Sequence, residues 1–136
     1  MIHRLALGLL VTAALTTLPA QAGKIVVAAN SSQAALDKSS AQSIFLGRTA
    51  SVGGQPSVII FQKGSVREDF ELNVVGRSGA QLGSHWSRLV FTGRAKAPDD
   101  LANDAAVKAK VVSTPGAIGY ISDDAADASV KVLFDF

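Results

Sequence analysis

Ser57 to Gly76, SVIIFQKGSVREDFELNVVG, reads as a buried strand, a short polar turn and an amphipathic helix, and the rest of the chain is arranged around it. The run Val58-Ile59-Ile60-Phe61 is short and β-branched, and Pro56 and Lys63-Gly64 bound it, so a buried strand fits better than a helix. In the turn, Ser65 is an N-cap candidate and Glu68, three residues on, completes a capping box. Val66, Phe70 and Val74 recur at helical spacing. A strand that feeds a Gly-Ser turn and a helix start leaves free backbone N–H groups at the positive end of a helix dipole, here beside Lys63 and Arg67. Two readings follow: a seat for a small oxyanion, or a solvated, well-capped helix start with two surface cations.

Outward from that stretch, the N-terminus sets the compartment. Met1-Ile2-His3-Arg4 is basic, Leu5 to Leu18 is apolar, and Ala20-Gln21-Ala22 offers a cleavage site, so residues 1–22 read as a secretory signal peptide. The expected mature chain then runs 23–136, which is 136 − 22 = 114 residues, one domain with a modest core. Removing Arg4 leaves twelve Lys and Arg against eleven Asp and Glu, a near-neutral balance that implies no nucleic-acid partner and no membrane-surface partner. No later segment suits membrane insertion. The chain has no cysteine, which excludes disulfides, thiolate metal sites and a lipid anchor on a cysteine. Of the two histidines only His85 follows the leader, so a His-based metal site is not expected, and no cofactor is implied.

Along the mature chain, Lys24 to Ala29 reads as the first buried strand. Ser39 or Ser40 would cap a helix carrying Ala41, Ile44 and Phe45, which Gly47 ends in the left-handed C′ position. Thr49 to Pro56 reads as a turn around Gly53-Gly54. Gly76 closes the central helix, and Ser78 with Gln81 forms a capping box for the next one. That helix has Leu82, Trp86, Leu89 and Val90 on one stripe. Lys96 to Asp100 reads as a loop, Asn103 or Asp104 starts a helix carrying Val107 and Val111, and Ala117 to Ile121 and Val130 to Phe134 read as strands. The Gly119 inside a strand predicts close approach of a neighbouring group. Alternating strands and helices predict an α/β domain with a mixed, largely parallel sheet flanked by helices.

Several segments occurring in order resemble a known family: Ser43-Ile44-Phe45-Leu46-Gly47-Arg48, Gly64-Ser65 with Arg67 and Phe70, Trp86 with Phe91-Thr92-Gly93, and Pro115-Gly116-Ala117-Ile118-Gly119-Tyr120. Together they resemble short relatives of phosphate-type ABC-transporter substrate-binding proteins. The resemblance implies a single lobe of a type 2 periplasmic-binding fold in an exported, periplasmic or secreted protein. It implies phosphate or a similar small oxyanion as ligand, with a membrane transporter or a second protein lobe as partner. Residue by residue, Gly64 and Ser65 look like the anion turn, Arg67 like the guanidinium that grips an oxyanion bidentately, and Ser31 or Ser32 like a hydroxyl donor.

The chain also departs from the family. Where the family has a Ser-Gly-Thr run this chain has Gly64-Ser65-Val66, one hydroxyl short. The Trp that usually follows the IFLG segment is absent, and one lobe's length leaves the opposing wall of the cleft, with its acidic group, without a counterpart.

Other features read as structure rather than site. Arg67 could equally pair with Glu71 at i+4, a contact worth about 0.2–0.5 kcal/mol. Trp86 and Tyr120 read as core, His85 as exposed, and Asp123, Asp124 and Asp127 as a solvated turn without the spacing of a Ca²⁺ loop. Ser65 has no base or placed acid to make a triad, so no enzyme is expected. Two functions from different classes remain: a solute-binding domain for an oxyanion, or a ligand-free interaction module that docks on an envelope transporter or sensor.

Overall fold

The computed structural model describes residues 22–136, so the expected leader lies outside the described residues. A five-stranded sheet forms the middle layer. Its strands are β1 (Gly23–Ala28), β4 (Val58–Gln62), β5 (Asp99–Leu101), β6 (Ala117–Ser122) and β7 (Val130–Asp135), while β2 (Ser51–Val52) and β3 (Gln55–Pro56) make a separate small hairpin. The sheet order is β5-β4-β6-β1-β7. β4 pairs parallel with both β5 and β6, and β1 pairs antiparallel with both β6 and β7. Four of the five strands therefore point the same way and β1 alone is reversed, the mixed and largely parallel sheet that the alternation predicts.

Helices cover both faces, which is why the strands read as continuous apolar runs rather than alternating ones. On one face Ile25, Val27, Ile59, Phe61, Ile118 and Tyr120 meet α1 (Lys38–Phe45), α2 (Val66–Phe70) and α3 (Gly79–Phe91). On the other face Val26, Ile60, Ala117 and Ile121 meet Val107 and Val111 of α4 (Asp104–Ser113). The centre of the first face is aromatic. Phe70 stacks on Tyr120 with centroids 3.8 Å apart, and Phe45 meets Phe70 edge-on at 4.8 Å. Trp86 is buried there with its indole N–H donating to the Phe45 carbonyl, and Tyr120 is fully buried, so both are core. A Cβ on Gly119 would stand 2.7 Å from Val107, the close approach its place in a strand predicts.

Helix ends separate correct expectations from incorrect ones. Ser78 and Gln81 form their reciprocal capping box, Asn103 caps α4, and Gly47 and Gly76 take left-handed φ of 74° and 64°. Asp37, not Ser39 or Ser40, caps α1, accepting from the Ser40 N–H at 2.7 Å. A carboxylate there also meets the helix dipole. The helix after β4 runs as the α-helical turn α2 and then a π-helical turn over Glu71–Val75. An i→i+5 turn aligns residues five apart, and Phe70 and Val75 are both buried while Leu72 stays 69% exposed. Two elements read as irregular are strands: the hairpin β2–β3, and β5, whose Asp99-Asp100-Leu101 pairs with Ile60-Phe61-Gln62.

Candidate functional site

The parallel pairing of β4 with β5 and β6 brings three strand ends together, and the turn Lys63-Gly64-Ser65 leaves the sheet there. Gln62, the last residue of β4, is the only buried polar or charged side chain of the described residues, 1% exposed. Its amide nitrogen donates to Asp104 Oδ1 at 2.8 Å and to the Tyr120 carbonyl at 2.7 Å, and the Tyr120 hydroxyl lies 3.2 Å from both the backbone nitrogen and the carbonyl of Gln62. The Ser122 N–H donates to the same Asp104 oxygen at 3.1 Å. The turn thus rests on a satisfied polar network that ties the ends of β4 and β6 to the start of α4. Burial pushes the Tyr120 phenol up to about 12.

Ser65 does not cap. Its φ and ψ of −60° and −25° are already helical and its side chain makes no cap hydrogen bond. The Arg67 N–H donates to the Gly64 carbonyl at 3.1 Å, so the first turn begins a residue early, whereas an N-cap needs an extended backbone. Among the described residues no oxygen accepts from the N–H groups of Gly64, Ser65 or Val66. Lys63 and Ser65 are exposed beside them.

Arg67 is held by two carboxylates. Its Nε donates to Glu71 Oε1 at 2.9 Å and its Nη1 lies 3.3 Å from Asp100 Oδ2. The hydrogen bond to Glu71 first, and then the nearby Asp100, raise its pKa above the ordinary arginine value. The i+4 pair is therefore formed, and Asp100, thirty-three residues away in sequence, adds a second acceptor. Glu68 and Asp69 follow in the first turn of α2. The Arg67 charge is balanced, and the carboxylates around the turn work against an anion.

Ser31 and Ser32 are not brought to the turn. Because β1 is reversed, its C-terminal end lies at the beginning of β4 and β6, about 16 Å of strand away from Gly64. There the Ser32 hydroxyl donates to the Gly53 carbonyl at 3.0 Å and Ser31 Oγ accepts from the Gln33 N–H at 3.2 Å. Ser32 and the Gln33 side chain, which accepts from the Gly53 N–H at 2.9 Å, anchor the hairpin β2–β3, and Ser31 holds Gln33. His85, expected to be exposed, is half-buried: its Nε2 donates to the Leu46 carbonyl at 2.7 Å, which leaves Nδ1 to accept from Arg77 at 3.2 Å. Asp127 accepts from Ser129 and from Lys108, and those contacts, Ser129 first, lower its carboxyl to about 2. Gln62, Asp100 and Asp104 are the residues that sequence reasoning missed. The one available signal was a polar residue closing an apolar strand just before a Gly-Ser turn.

No protein-family description and no curated protein matches this sequence. Solved structures do. A phosphate ABC transporter substrate-binding protein from Clostridium perfringens, with bound phosphate, matches with a TM-score of 0.65 at 20% identity over 83% of this chain and 44% of that one. PstS from Borrelia burgdorferi matches at 0.60 and 12% identity, over 83% of this chain and 46% of its own. An ABC-type phosphate transport receptor from Vibrio cholerae matches at 0.56 and 17% identity, over 83% and 45%. The chain spans less than half the length of these proteins, and its fold is that of one lobe of the type 2 periplasmic-binding fold. The resemblance read from the motifs holds at the level of fold. Two of these proteins are named for ABC-type phosphate transport. Among the described residues no helix is long and apolar enough to cross a membrane.

Proposed function

We propose that this chain is an exported solute-binding domain that takes phosphate or a similar small oxyanion at Gly64, Ser65 and Arg67 and serves an ABC-type uptake or sensing system. The observation that carries the reading is the row of N–H groups at Gly64, Ser65 and Val66 without acceptors, at the end of a central strand in a fold shared with phosphate receptors. Backbone N–H groups at a helix start are suited to an oxyanion. Arg67 would contribute by exchanging one carboxylate for the ligand, and Asp100 is the exposed, weaker partner. Ser31 and Ser32, initially candidates for the same site, have no part in this reading because they sit at the other end of the sheet.

A single open lobe leaves the anion hydrated, where charge-assisted bonds are weak, so affinity of the order of millimolar is expected unless a second lobe closes over the turn. Equilibrium dialysis of residues 23–136 against labelled phosphate tests this. Saturable uptake in the millimolar range supports it, and no uptake there removes it.

The carboxylates Glu68, Asp69, Glu71 and Asp100 around the turn favour a second reading, a receptor lobe without ligand that acts by docking on an envelope transporter or sensor. Neutralising those charges separates the two. If the site is a receptor, removing a carboxylate tightens phosphate; if it is vestigial, nothing binds in either form.

A further inference from the structure

The cations of this molecule are unevenly distributed. Residues 77–97 carry Arg77, Arg88, Arg94 and Lys96 and not one Asp or Glu, whereas the rest of the chain holds nine Lys and Arg against eleven acids. That segment is α3 with its flanks. Among the described residues Arg77, Arg88, Arg94 and Lys96 take part in no salt bridge, while Lys24, Arg67, Lys108 and Lys110 all do. The segment around α3 is thus a positive stretch without a carboxylate of its own, Arg77 and Arg88 lining one groove and Arg94 and Lys96 bordering another.

Between Arg88 and Arg94 stand exposed apolar side chains. Phe91 is 93% exposed and Val90 beside it 39%. Next to them runs a groove of about 400 Å³ lined by Trp86, Ser87, Val90, Phe91, Ala97 and Pro98. A second groove of about 500 Å³ shares Trp86 and Ala97 with the first and is bordered by Arg94, Lys96 and Asp99, the last of which lies 3.8 Å from Lys110. Together they make a furrow with Trp86, Ala97 and Pro98 on its floor and a rim on which two cations face one carboxylate that already has a partner. A phenylalanine left in water forgoes the stabilisation that burial gives, and contiguous exposed apolar surface with a charged rim marks an interaction site.

We propose that the outer face of α3, with the 93–98 loop, is a docking surface for an acidic segment of another protein that carries apolar side chains. Its carboxylates meet Arg88, Arg94 and Lys96, and an apolar side chain enters the furrow beside Phe91. Charge complementarity fixes the sign of the partner. The furrow favours a polypeptide: an open groove of this size takes protruding side chains of a partner segment, whereas a bilayer surface presents none. This surface needs neither the anion turn nor its ligand, so it stands or falls separately from the oxyanion reading.

The test is fluorescence anisotropy with a short labelled peptide in which Glu alternates with Leu and Phe, added to residues 23–136 at low and moderate salt. A second peptide has Gln for every Glu, and vesicles of phosphatidylglycerol form a third arm. Saturable binding of the Glu peptide that weakens with salt is expected, reduced about tenfold by the pair Arg88→Glu and Arg94→Glu and about threefold by Phe91→Ser. These side chains make no hydrogen bond within the fold, so the variants keep the wild-type melting curve. Lys131→Glu, outside the face, leaves binding unchanged. Equal binding of the Gln peptide, indifference to the charge reversals, binding to vesicles alone, or no peptide binding overturns the proposal.

Discussion

The turn after β4 and the outer face of α3 are both cationic in sequence, yet they differ in what surrounds the charge. At the turn Arg67 lies between Glu71 and Asp100, above a buried network of Gln62, Tyr120 and Asp104 in which every side chain has a partner. On α3 and its flanks Arg77, Arg88, Arg94 and Lys96 form no ion pair among the described residues, and Arg88 and Arg94 stand on either side of an exposed Phe91 in the chain. The lesson is that a cation's availability is set by its neighbours and not by its presence. The first region has been built to be rigid and electrically quiet. The second has been left unsatisfied, which in a folded protein points outward to a partner.

The largest effect should come from breaking the network under the turn. Gln62→Ala removes a buried amide, leaving a cavity and the Tyr120 carbonyl without its donor, and should cost about 2–4 kcal/mol in urea melts. A loss under 1 kcal/mol would mean that the turn does not depend on it.

Alkaline pH probes the same region. The folded-state pKa of Tyr120 rises from 10.0 to about 12, so its contribution is full below pH 10 and disappears as pH climbs from 10 through 12, up to about 2–3 kcal/mol. Urea melts at pH 8 and pH 11 should show about half of that loss, roughly 1.4 kcal/mol, in the wild type, and less of it in Tyr120→Phe.

Smaller effects sharpen the electrostatic contrast. Asp100→Asn frees one side of Arg67 and should tighten phosphate about threefold, read by equilibrium dialysis. Asp127, exposed and lowered to about 2 from 3.8, stabilises the fold above its ordinary value and ceases to as pH falls from about 4 to 2; Asp127→Asn should flatten the melting temperature over that window. Phe91→Ser should change stability by less than about 0.5 kcal/mol, because the side chain is in water already.

Much of this was legible in the sequence because it is local. The apolar runs gave β1, β4, β6 and β7, the Ser78–Gln81 spacing gave a cap, and Gly119 gave a close approach, each from residues within a few positions of one another. What was lost depends on the third dimension. Asp99-Asp100-Leu101 carries no strand signal of its own and becomes β5 only by pairing with β4. Ser31 and Ser32 fell at the wrong end because an apolar strand reads the same in either direction, and the reversal of β1 moves its C-terminal residues away from the turn. Arg67 was readable as a partner of Glu71 at i+4, but Asp100 reaches it only through the fold. Asp37 outcompeted the serines as a cap because the helix begins earlier than its apolar positions indicate.

Isothermal calorimetry of phosphate and sulfate into residues 23–136, beside Arg67→Ala and at low and moderate salt, tests the oxyanion site most directly. Heat that saturates at millimolar anion in the wild type and vanishes in Arg67→Ala is the predicted result. No heat with either anion, or the same heat in both proteins, would contradict it.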